Sequence, residues 1–575
     1  MNENTSEKPC LVEAGRGFSV SYRQRFLYSK YAPDRAINGI IENLTILPGT
    51  LIIAASPCLW LGLDSLLKKL PEDCFILGVE TDKNLYELAN EYLTREKEKK
   101  ASSALPENDI FSSTALLPFS ENDYIVNILC GEKTVEGLKI PHISTFRRAI
   151  MLEMSAGTQF DKDSYAKLAS LSQNTIASFW KNRITLTRLG RLYSRNLFKN
   201  LANLPSSVDF RSIAHTVERP LFVFGAGESS EKTIKRFGKE KLEKCFVICV
   251  DAAVPSLKSY GIRIDAVAAV EGQLAIEKAY IGGGAKKALL IADILSRPAV
   301  TRHTDCAITF FTSKYTDAEF LNNLSKMDFF PPFVPPLGSV GLTATFIALL
   351  LRKNTEIPVY LSGLDFSFSL GRTHAKNTPA HIARLLQADR FSPVENYGAA
   401  FRNGAKKVCG KNGIEVYTDT ALENYAKSFQ DAFWNTTNLF DAGEQGIEIT
   451  GNKLQINASV DEEGFTGGQN GENFTFDDEF SVCSNADSIK SYLEGEEKAL
   501  NRIKELLMFG KDVASCSMSL DDELFSLISV REYLFLHFPD GYKCKTSDLS
   551  FLKRVRSQID FFLKDIKSAL KNLSK

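Results

Sequence analysis

The sequence lacks the features that would assign the protein to several large classes. Its 11 cysteines are scattered, with no Cys-x-x-Cys pair and no cysteine–histidine cluster at zinc-ligand spacing. A net charge of −1 supplies no basic field that would recruit nucleic acid or anionic lipid. We therefore expect neither a metal site nor nucleic-acid binding, and we expect the cysteines to be reduced thiols.

Long apolar runs are absent as well. The most apolar stretch, residues 44–63, is interrupted by Pro48, Gly49 and Pro57, and it predicts a strand, a turn and a helix rather than a membrane span. Residues 1–8 are polar and lack the apolar core of a signal peptide, so we expect a cytoplasmic protein. The remaining composition, 44% hydrophobic and 24% charged, is that of a soluble globular protein.

Short apolar runs alternate with helix-forming stretches along most of the chain. Residues 36–90 predict a βαβ unit, with strands at 51–55 and 74–79 around a helix at 59–70. Further strands are expected at 247–250, 266–270, 289–291, 307–311 and 359–361, and an apolar helix at 342–351. This alternation predicts an α/β fold: a central Rossmann-like, mostly parallel sheet flanked by a smaller Rossmann-like N-terminal domain and a helical C-terminal region.

Changes in composition divide the chain into five predicted segments. They are an N-terminal Rossmann-like domain at 1–140, a helical connector at 141–205, a ligand-binding α/β domain at 206–415, an extension with an acidic Gly/Asn-rich loop at 416–484, and a helical C-terminal domain at 485–575. The stretch 451–487, which begins within the extension, has few aliphatic residues and predicts a long loop or a poorly ordered linker.

Two helix faces have more than one interpretation. An apolar stripe along the last helix predicts packing on the protein itself, with docking of a partner as the alternative. The stripe consists of Leu549, Leu552, Val555, Ile559, Phe562, Ile566 and Leu570. Another helix face carries Arg188, Arg191, Arg195 and Lys199. We expect that face to be solvated, with an acidic partner as the alternative.

The N-terminal βαβ unit has an acid, Glu80, at the end of its second strand, where Rossmann-like folds bind a ribose. Its first turn, however, is Ser56-Pro57-Cys58 rather than a glycine fingerprint, and proline offers no N–H to a phosphate. We therefore expect a structural or interaction domain, with cofactor binding as the alternative.

Four polar junctions lie between residues 220 and 375, each after a run rich in Val, Ile, Leu or Phe. They are Phe-Gly-Ala-Gly-Glu-Ser-Ser at 224–230, Val-Asp-Ala-Ala at 250–253, Gly-Ser-Val-Gly-Leu-Thr-Ala at 338–344, and Leu-Ser-Gly-Leu-Asp-Phe at 361–366 followed by Gly-Arg-Thr-His-Ala at 371–375. Open α/β sheets bind ligands at the carboxyl ends of their strands, and N–H groups at a glycine turn favour phosphate. The junctions therefore predict a ligand site.

The first two junctions supply candidate ligand contacts. Gly225 and Gly227 permit a sharp turn and the close approach of a ligand. Ser229 can donate to a phosphate or cap the following helix. Asp251 can accept from a ribose or a base, or act as a helix cap.

Further candidates follow the later strands. Glu271 and Gln273 end the next strand at the same edge of the sheet. Ser339 precedes an apolar helix, so its amide and hydroxyl can meet a phosphate at the helix N-terminus. Asp365 follows Gly363 and an apolar strand, where it either organises the loops or transfers a proton.

A polar loop after the fourth junction contains His374, next to Thr373. A neutral imidazole there can remove a proton from an acceptor hydroxyl, whereas a surface histidine without a role is the alternative. Arg372 and Lys376 could clamp an anion, and His381 is a weaker candidate for the base. Glycine turns followed by this histidine suggest a nucleotide-dependent transferase.

In this order, the junctions resemble those of the motility-associated factor (Maf) family of bacterial flagellin glycosyltransferases, whose catalytic domain is distantly similar to bacterial sialyltransferases. The resemblance covers residues 206–415 best and extends to 28–33, 417–420 and 443–451. It implies an inverting transfer of a nonulosonic acid, of the pseudaminic or legionaminic type, from a CMP-activated donor to Ser or Thr hydroxyls of flagellin. Such a transfer would serve flagellar assembly and motility.

The resemblance also implies roles for the candidate residues. His374 would be the general base, with Asp365 and Thr373 beside it, and no cofactor would be obligatory apart from the CMP-activated sugar as donor. The donor would lie across Gly225, Gly227, Ser229, Asp251, Glu271, Gln273, Ser339 and Gly363.

The sequence departs from the family pattern at two places, and two alternatives stay open. Glu228 and Ser230 stand where the family has proline and leucine, which puts a carboxylate near the expected phosphate, and Glu271 stands where Asp is more frequent. The same domain resembles archaeal 6-hydroxymethylpterin diphosphokinases, which would use ATP and Mg²⁺ held by Asp251, Glu271 or Asp365. A non-catalytic adaptor that binds flagellin or a chaperone is the other alternative, and Glu228 favours it.

Overall fold

A computed structural model describes residues 8–101, 114–118, 140–393, 404–449, 455–456, 485–509 and 520–574 of the protein. The chain forms two compact units, Met1–Thr187 and Arg188–Lys575. Most of the loop predicted at 451–487 lies outside the described residues. The division into five segments stays a prediction.

The first unit contains, within its described residues, a three-stranded antiparallel sheet and a four-stranded parallel sheet in the order β6-β5-β4-β7. The strands are β1 Cys10–Glu13, β2 Phe18–Tyr22, β3 Arg25–Phe26, β4 Thr50–Ala55, β5 Phe75–Glu80, β6 Thr114–Pro118 and β7 Arg148–Glu153. The α-helices are α1 Arg35–Asn43, α2 Leu63–Lys69, α3 Lys83–Ala101 and α4 Lys162–Thr185.

The central strands of the first unit are covered on both faces. Every residue of β4 and β5 is buried, so each strand reads as a continuous apolar run. The strands predicted at 51–55 and 74–79 are thereby confirmed. The helix expected at 59–70 begins only at Leu63, because Gly62 before it has a left-handed backbone (φ 85°) and Trp60 does too (φ 51°).

The acid at the end of β5 is engaged inside the first unit. Glu80 is 2% exposed and accepts hydrogen bonds from the Ser56 hydroxyl (2.7 Å) and the Tyr165 hydroxyl (3.1 Å). Its Oε1 also accepts from the Asp82 N–H (3.2 Å). Burial raises the pKa of this carboxyl. Groups of the protein itself thus surround the carboxylate that a ribose would meet in a Rossmann-like fold.

The second unit is built, within its described residues, on a nine-stranded parallel sheet and a separate antiparallel pair of strands. Its strands are β8 Leu221–Phe224, β9 Phe246–Val250, β10 Ala266–Ala269, β11 Leu289–Asp293, β12 Ile308–Ser313, β13 Phe333–Val334, β14 Val359–Ser362, β15 Lys406–Cys409, β16 Glu415–Thr418, β17 Leu439–Asp441 and β18 Gln455–Ile456. Its α-helices are α5 Arg191–Leu201, α6 Ser229–Glu243, α7 Val254–Ser259, α8 Glu319–Leu324, α9 Val340–Leu351, α10 Pro379–Leu385, α11 Thr420–Phe433, α12 Ala486–Phe509, α13 Leu520–Ser529 and α14 Leu549–Leu573.

The order of strands in the large sheet is β13-β12-β11-β10-β9-β8-β14-β17-β18. Strands β8 to β13 follow one another across the sheet in chain order, and β14 then lies on the other side of β8. The direction of winding reverses between β8 and β14, and open α/β sheets bind ligands at such a switch point. The α/β class and the mostly parallel central sheet are confirmed, and the strands predicted from 247 to 361 are present with small differences at their ends.

The C-terminal helices pack within the second unit. Val555, Ile559, Phe562 and Ile566 of α14 are fully buried, so the apolar stripe covers the protein itself, as its first interpretation predicts. Leu549 at the start of the helix is the exception and is 74% exposed. None of the helices in the described part of the chain has both the length and the apolar character that a membrane span requires.

The basic side chains of α5 contact the protein itself, so the prediction of a solvated face was wrong for Arg191, Arg195 and Lys199, whereas Arg188 before the helix is exposed, as predicted. Arg195 and Lys199 lie 3.4 Å and 3.1 Å from the Asp565 carboxylate of α14. The Arg191 guanidinium lies 3.8 Å from the centroid of the Phe561 ring. Spacing along a helix shows which residues share a face, but it does not show which other helix packs against that face.

Candidate functional site

A cavity of about 400 Å³ opens at the carboxyl edge of the central sheet, at the switch point between β8 and β14. The turns after both strands line it, together with the segment after β9 and the start of α9. The predicted site residues in its lining are Gly225, Gly227, Asp251, Ser339, Gly363, Asp365, Thr373 and His374. Residues of all four junctions therefore meet at one site.

The glycines of the first and fourth junctions allow two turns to touch. The Gly225 N–H donates to the Ser362 carbonyl (2.7 Å), and the Gly227 N–H donates to the Gly363 carbonyl (2.8 Å). A Cβ on Gly225 would lie 2.3 Å from the Gly363 oxygen. A Cβ on Gly227 would lie 2.6 Å from the Asp365 carboxylate. Contact between two backbone segments therefore requires glycine at both positions, whatever ligand binds.

Asp365 fastens the turn after β14 to the start of α6. Its Oδ2 accepts from the Ser229 N–H (2.9 Å) and its Oδ1 from the Ser229 hydroxyl, whose oxygen accepts from the Gly363 N–H (2.9 Å). Asp365 is 5% exposed, and burial raises its pKa to about 6, although the bonds from Ser229 act in the opposite direction. Because both oxygens are engaged, the contacts favour the loop-organising interpretation of this acid.

Asp251 is a buried acid with one unused oxygen. It follows β9, is 2% exposed, and accepts from the Ala252 N–H at Oδ1 (2.7 Å). Its Oδ2 has no hydrogen-bond partner among the described residues. Burial raises the pKa of this carboxyl to about 7, and the charge of Glu271 raises it further. A buried polar atom without a partner costs about 1–3 kcal/mol, so a ligand in the cavity that bonds to Oδ2 would recover that energy.

Two features of the cavity favour an anion. The start of α9 lines it through Ser339, Val340 and Gly341, and the first N–H groups of a helix have no acceptor within the helix. The Ser339 hydroxyl does not cap its own helix. Arg384 of α10, which is 4% exposed, lines the same cavity. A phosphate or carboxylate group would fit between such donors.

His374 lines the cavity in a loop that is tied to the first glycine turn. The Thr373 Oγ1 lies 2.9 Å from its Nδ1. The N–H of Ala375 donates to the Ala226 carbonyl (2.9 Å). When Nδ1 carries the proton and donates to Thr373, Nε2 is the ring nitrogen that can accept a proton. The geometry therefore suits an imidazole that acts as a base toward a group in the cavity.

Three predicted site residues lie outside the lining of the cavity. Ser229 is fully buried and bonded to Asp365. Glu271 is half-buried and accepts from the Gln273 N–H (2.9 Å), while the Gln273 side chain is exposed. Glu271 influences the site electrostatically: its negative charge adds to the effect of burial and raises the pKa of the Asp251 carboxyl.

Glu228, the departure in the first junction, also lies outside the lining. Its carboxylate is 2.9 Å from the Arg372 guanidinium and accepts from the Gln445 side-chain amide (3.1 Å). Arg372 pairs with Glu231 as well. A cation thus balances this carboxylate, which the sequence alone places near the expected phosphate. The two carboxylates in turn engage Arg372, which the sequence had suggested as an anion clamp.

Sequence reasoning missed Arg384 and the apolar wall of the cavity. The wall includes Leu422 and Tyr425 of α11, which are three residues apart and share a helix face. Phe366 and Phe368 after β14 complete it. The spacing on α11 is a signal that could have been read, but the sequence does not show that this helix reaches the sheet edge.

Together, fold and site define an α/β protein with an anion-favouring cavity at its switch point, a histidine in the lining and a buried acid with a free oxygen. Within the described part of the chain, no group of three or more His, Cys, Asp or Glu side chains is arranged to hold a metal ion.

Comparisons with known proteins agree with this class. Residues 195–371 match the protein family described as "6-hydroxymethylpterin diphosphokinase MptE-like". The chain is 29% identical over 583 residues to an uncharacterized protein of Treponema pallidum (strain Nichols), with 97% of this chain and 94% of that protein covered. Its fold is similar to that of the MAf glycosyltransferase from Magnetospirillum magneticum AMB-1, with a TM-score of 0.53, 13% identity, and 99% of this chain and 90% of that chain covered.

The family match covers only part of the candidate site. The matched residues include all strands from β8 to β14 and the junction residues up to Asp365, but they end before Thr373 and His374. The structural likeness spans nearly the whole chain and shows a shared fold.

Proposed function

We propose that the protein is an inverting, sialyltransferase-like glycosyltransferase that acts in the cytoplasm. It moves a nonulosonic acid, of the pseudaminic or legionaminic type, from a CMP-activated donor to Ser or Thr hydroxyls of flagellin. The observation that carries this proposal is the meeting of His374, Asp251 and Arg384 in one cavity at the switch point of the sheet. The fold shared with a MAf glycosyltransferase supports the transferase class.

The polar groups of the cavity suit the groups of such a donor. The phosphate that leaves with CMP fits the start of α9 beside Ser339, where N–H groups and the helix dipole favour an anion. The sugar carboxylate fits Arg384, because a guanidinium offers a carboxylate two parallel N–H donors. Asp251 Oδ2 accepts from a ribose hydroxyl or a base amino group.

The chemistry follows from the charges that develop during transfer. As the bond between the anomeric carbon and the phosphate breaks, the sugar becomes positive and the departing CMP becomes more negative. Ser339 and the first N–H groups of α9 stabilise the departing anion. His374 Nε2 takes the proton from the acceptor hydroxyl as its oxygen bonds to the anomeric carbon. Thr373 fixes the ring through Nδ1, and Asp365 fixes the turns around it.

Binding calorimetry on the purified protein tests the proposal. CMP, a CMP-activated nonulosonic acid and Mg·ATP are titrated separately, in the presence and absence of EDTA. We expect CMP and the CMP-sugar to bind without metal, and the CMP-sugar to bind more tightly because its carboxylate reaches Arg384. Binding of Mg·ATP alone would overturn the proposal.

A diphosphokinase is the second candidate, because residues 195–371 match the MptE-like family. In that case Mg·ATP binds, and Asp251, Glu271 or Asp365 would hold the ion. A base that faces the cavity suits an acceptor hydroxyl in either reaction, so the extent of the two likenesses supports the glycosyltransferase: the family match ends before His374, whereas the fold likeness to the MAf glycosyltransferase covers 99% of this chain. Glu228 gave the adaptor hypothesis some support, and that support is weaker because Arg372 balances the charge of Glu228.

A further inference from the structure

We infer that Glu228, Arg372 and Glu231 form a clamp that positions the His374 imidazole for proton transfer. The inference rests on the proposed function, because it takes His374 as the base of that reaction. The three residues, called the Arg372 clamp below, lie outside the lining of the cavity, whereas His374 lies in it. They would therefore act through His374 rather than on the donor.

The first part of the clamp joins the loop to the start of α6. Arg372 Nη1 lies 2.9 Å from Glu228 Oε1, and Arg372 Nη2 pairs with Glu231 Oε1. Glu228 immediately precedes α6 and Glu231 lies in its first turn, where the helix dipole favours a negative charge. One guanidinium thus bridges two carboxylates that are held by the same helix terminus.

Two backbone hydrogen bonds hold the residues that follow His374 to α6 and to the first glycine turn. The Lys376 N–H donates to Glu231 Oε1 (2.7 Å). The Ala375 N–H donates to the Ala226 carbonyl in the first glycine turn (2.9 Å). His374 therefore has an anchored residue two positions before it and two anchored residues directly after it.

Partial burial makes these ion pairs stronger than ordinary surface pairs. The side chains of Glu228 and Glu231 are 12% and 7% exposed, and that of Arg372 is 29% exposed. Hydrogen bonds between charged groups that are largely removed from water are stronger than those of an exposed pair, which water and salt screen. Displacement of a reacting group by about 1 Å can cost on the order of 10²-fold in rate, so such anchoring has kinetic value.

Steady-state kinetics of Arg372→Ala test the clamp. We expect the turnover number to fall by about 10- to 100-fold, while the KM for the CMP-sugar and the Kd for CMP stay within about two-fold. Arg372→Lys should recover part of the loss, because it keeps one charge but cannot bridge two carboxylates. Arg236→Ala is the matched control. Arg236 lies on α6, as Glu231 does, and pairs with Glu444 (2.9 Å), outside the clamp. We expect it to leave all three constants unchanged.

A double-mutant cycle separates positioning from direct binding. If Arg372 acts through His374, then Arg372→Ala should cause no further loss of turnover in a His374→Ala background. An equal loss in both backgrounds would overturn the inference. So would a rise of ten-fold or more in the Kd for CMP, because Arg372 would then bind the donor.

A readout independent of catalysis comes from NMR spectra of histidine labelled with ¹³C at Cε1, since the chain has only six histidines. Arg372→Ala should shift or broaden the His374 signal and leave those of His142 and His215 in place. The signal of His381 is not diagnostic, because the charge of Arg372 acts on its pKa directly. An unchanged His374 signal would overturn the clamp. If the protein showed no transfer activity, this spectrum alone would decide whether the clamp positions His374.

Discussion

The two parallel sheets each carry an acid at the end of a second strand, but they use it differently. Glu80 after β5 accepts from Ser56, Tyr165 and the Asp82 N–H, so both of its oxygens are engaged. Asp251 after β9 accepts only from the Ala252 N–H, and its Oδ2 has no partner among the described residues. Burial raises the pKa of both carboxyls.

We infer from this difference that the acid at the sheet edge of the first unit is structural, whereas the acid at the sheet edge of the second unit is available to a ligand. A buried acid whose oxygens all have donors stabilises its surroundings, whereas a buried acid with an unused oxygen costs stability until a ligand arrives. Changes at the edge of the first unit should therefore alter stability, and changes at the cavity of the second unit should alter binding and transfer.

The largest expected effect is the loss of transfer in His374→Ala. Removal of a general base lowers turnover by about 10²–10⁴-fold, while CMP affinity stays within about three-fold because the imidazole contacts the acceptor. Transfer assays and calorimetry measure the two quantities. Ser56→Ala in the first unit is the control, and it should leave transfer intact. Full transfer activity in His374→Ala would remove this residue as the base.

Asp251→Ala should weaken CMP binding by about ten-fold or more, which corresponds to about 1.4 kcal/mol. The same variant should unfold at an equal or higher denaturant concentration, because it no longer buries an acid with an unused oxygen. Calorimetry and denaturant unfolding test the two halves. Loss of stability without loss of affinity would show that Asp251 is structural, as Glu80 is.

Glu80→Ala should have the opposite profile. It leaves the Ser56 and Tyr165 hydroxyls without their acceptor, which costs about 1–3 kcal/mol of unfolding free energy. CMP affinity should not change. Glu80→Gln is the matched variant and should lose less, since its carbonyl oxygen still accepts one bond. A decrease in CMP affinity in Glu80→Ala would contradict the assignment of this acid to structure.

The smallest expected effect is a dependence of stability on pH. Burial raises the pKa of Asp293 to about 7, above its value in the unfolded chain. The stability that this group contributes is therefore present at low pH and is lost as pH rises through 7. Between pH 6 and pH 8 the unfolding free energy should fall by about 1.4 kcal/mol on account of this group. Asp293→Asn should flatten the dependence measured by denaturant unfolding, and an unchanged slope would show that the acid is ionised throughout.

The strands could be predicted because parallel strands covered on both faces must be apolar along their whole length. The runs at 51–55, 247–250 and 289–291 show this directly. Polar residues directly after such runs fall at the carboxyl edge of the sheet by topology alone, which explains why eight predicted residues line one cavity. The helix predicted at 59–70 begins only at Leu63, because the left-handed backbone of Trp60 leaves no mark in a sequence and Gly62 shows only that such a backbone is possible.

Other parts of the site depend on contacts between distant segments. The close approach of Gly225 to Gly363 assigns those glycines to backbone packing, and a sequence shows only that glycine is present. Glu228 was read as a carboxylate near a phosphate, because its partner Arg372 is separated from it by more than a hundred residues. Arg384 was not among the candidates, although His381 lies three residues before it on the same helix, because the sequence does not show which face of that helix meets the cavity.

The class of fold, the edge of the sheet at which the site lies and the kinds of side chain gathered there could all be inferred from the amino-acid sequence. These properties follow from local hydrophobic patterning and from the alternation of strands and helices, which nearby residues encode. The folded chain is needed to show which acid keeps an unused oxygen, that Arg384 lines the cavity and that Arg372 pairs with two carboxylates. These outcomes depend on hydrogen bonds and ion pairs between residues far apart in the chain, and burial sets their energies.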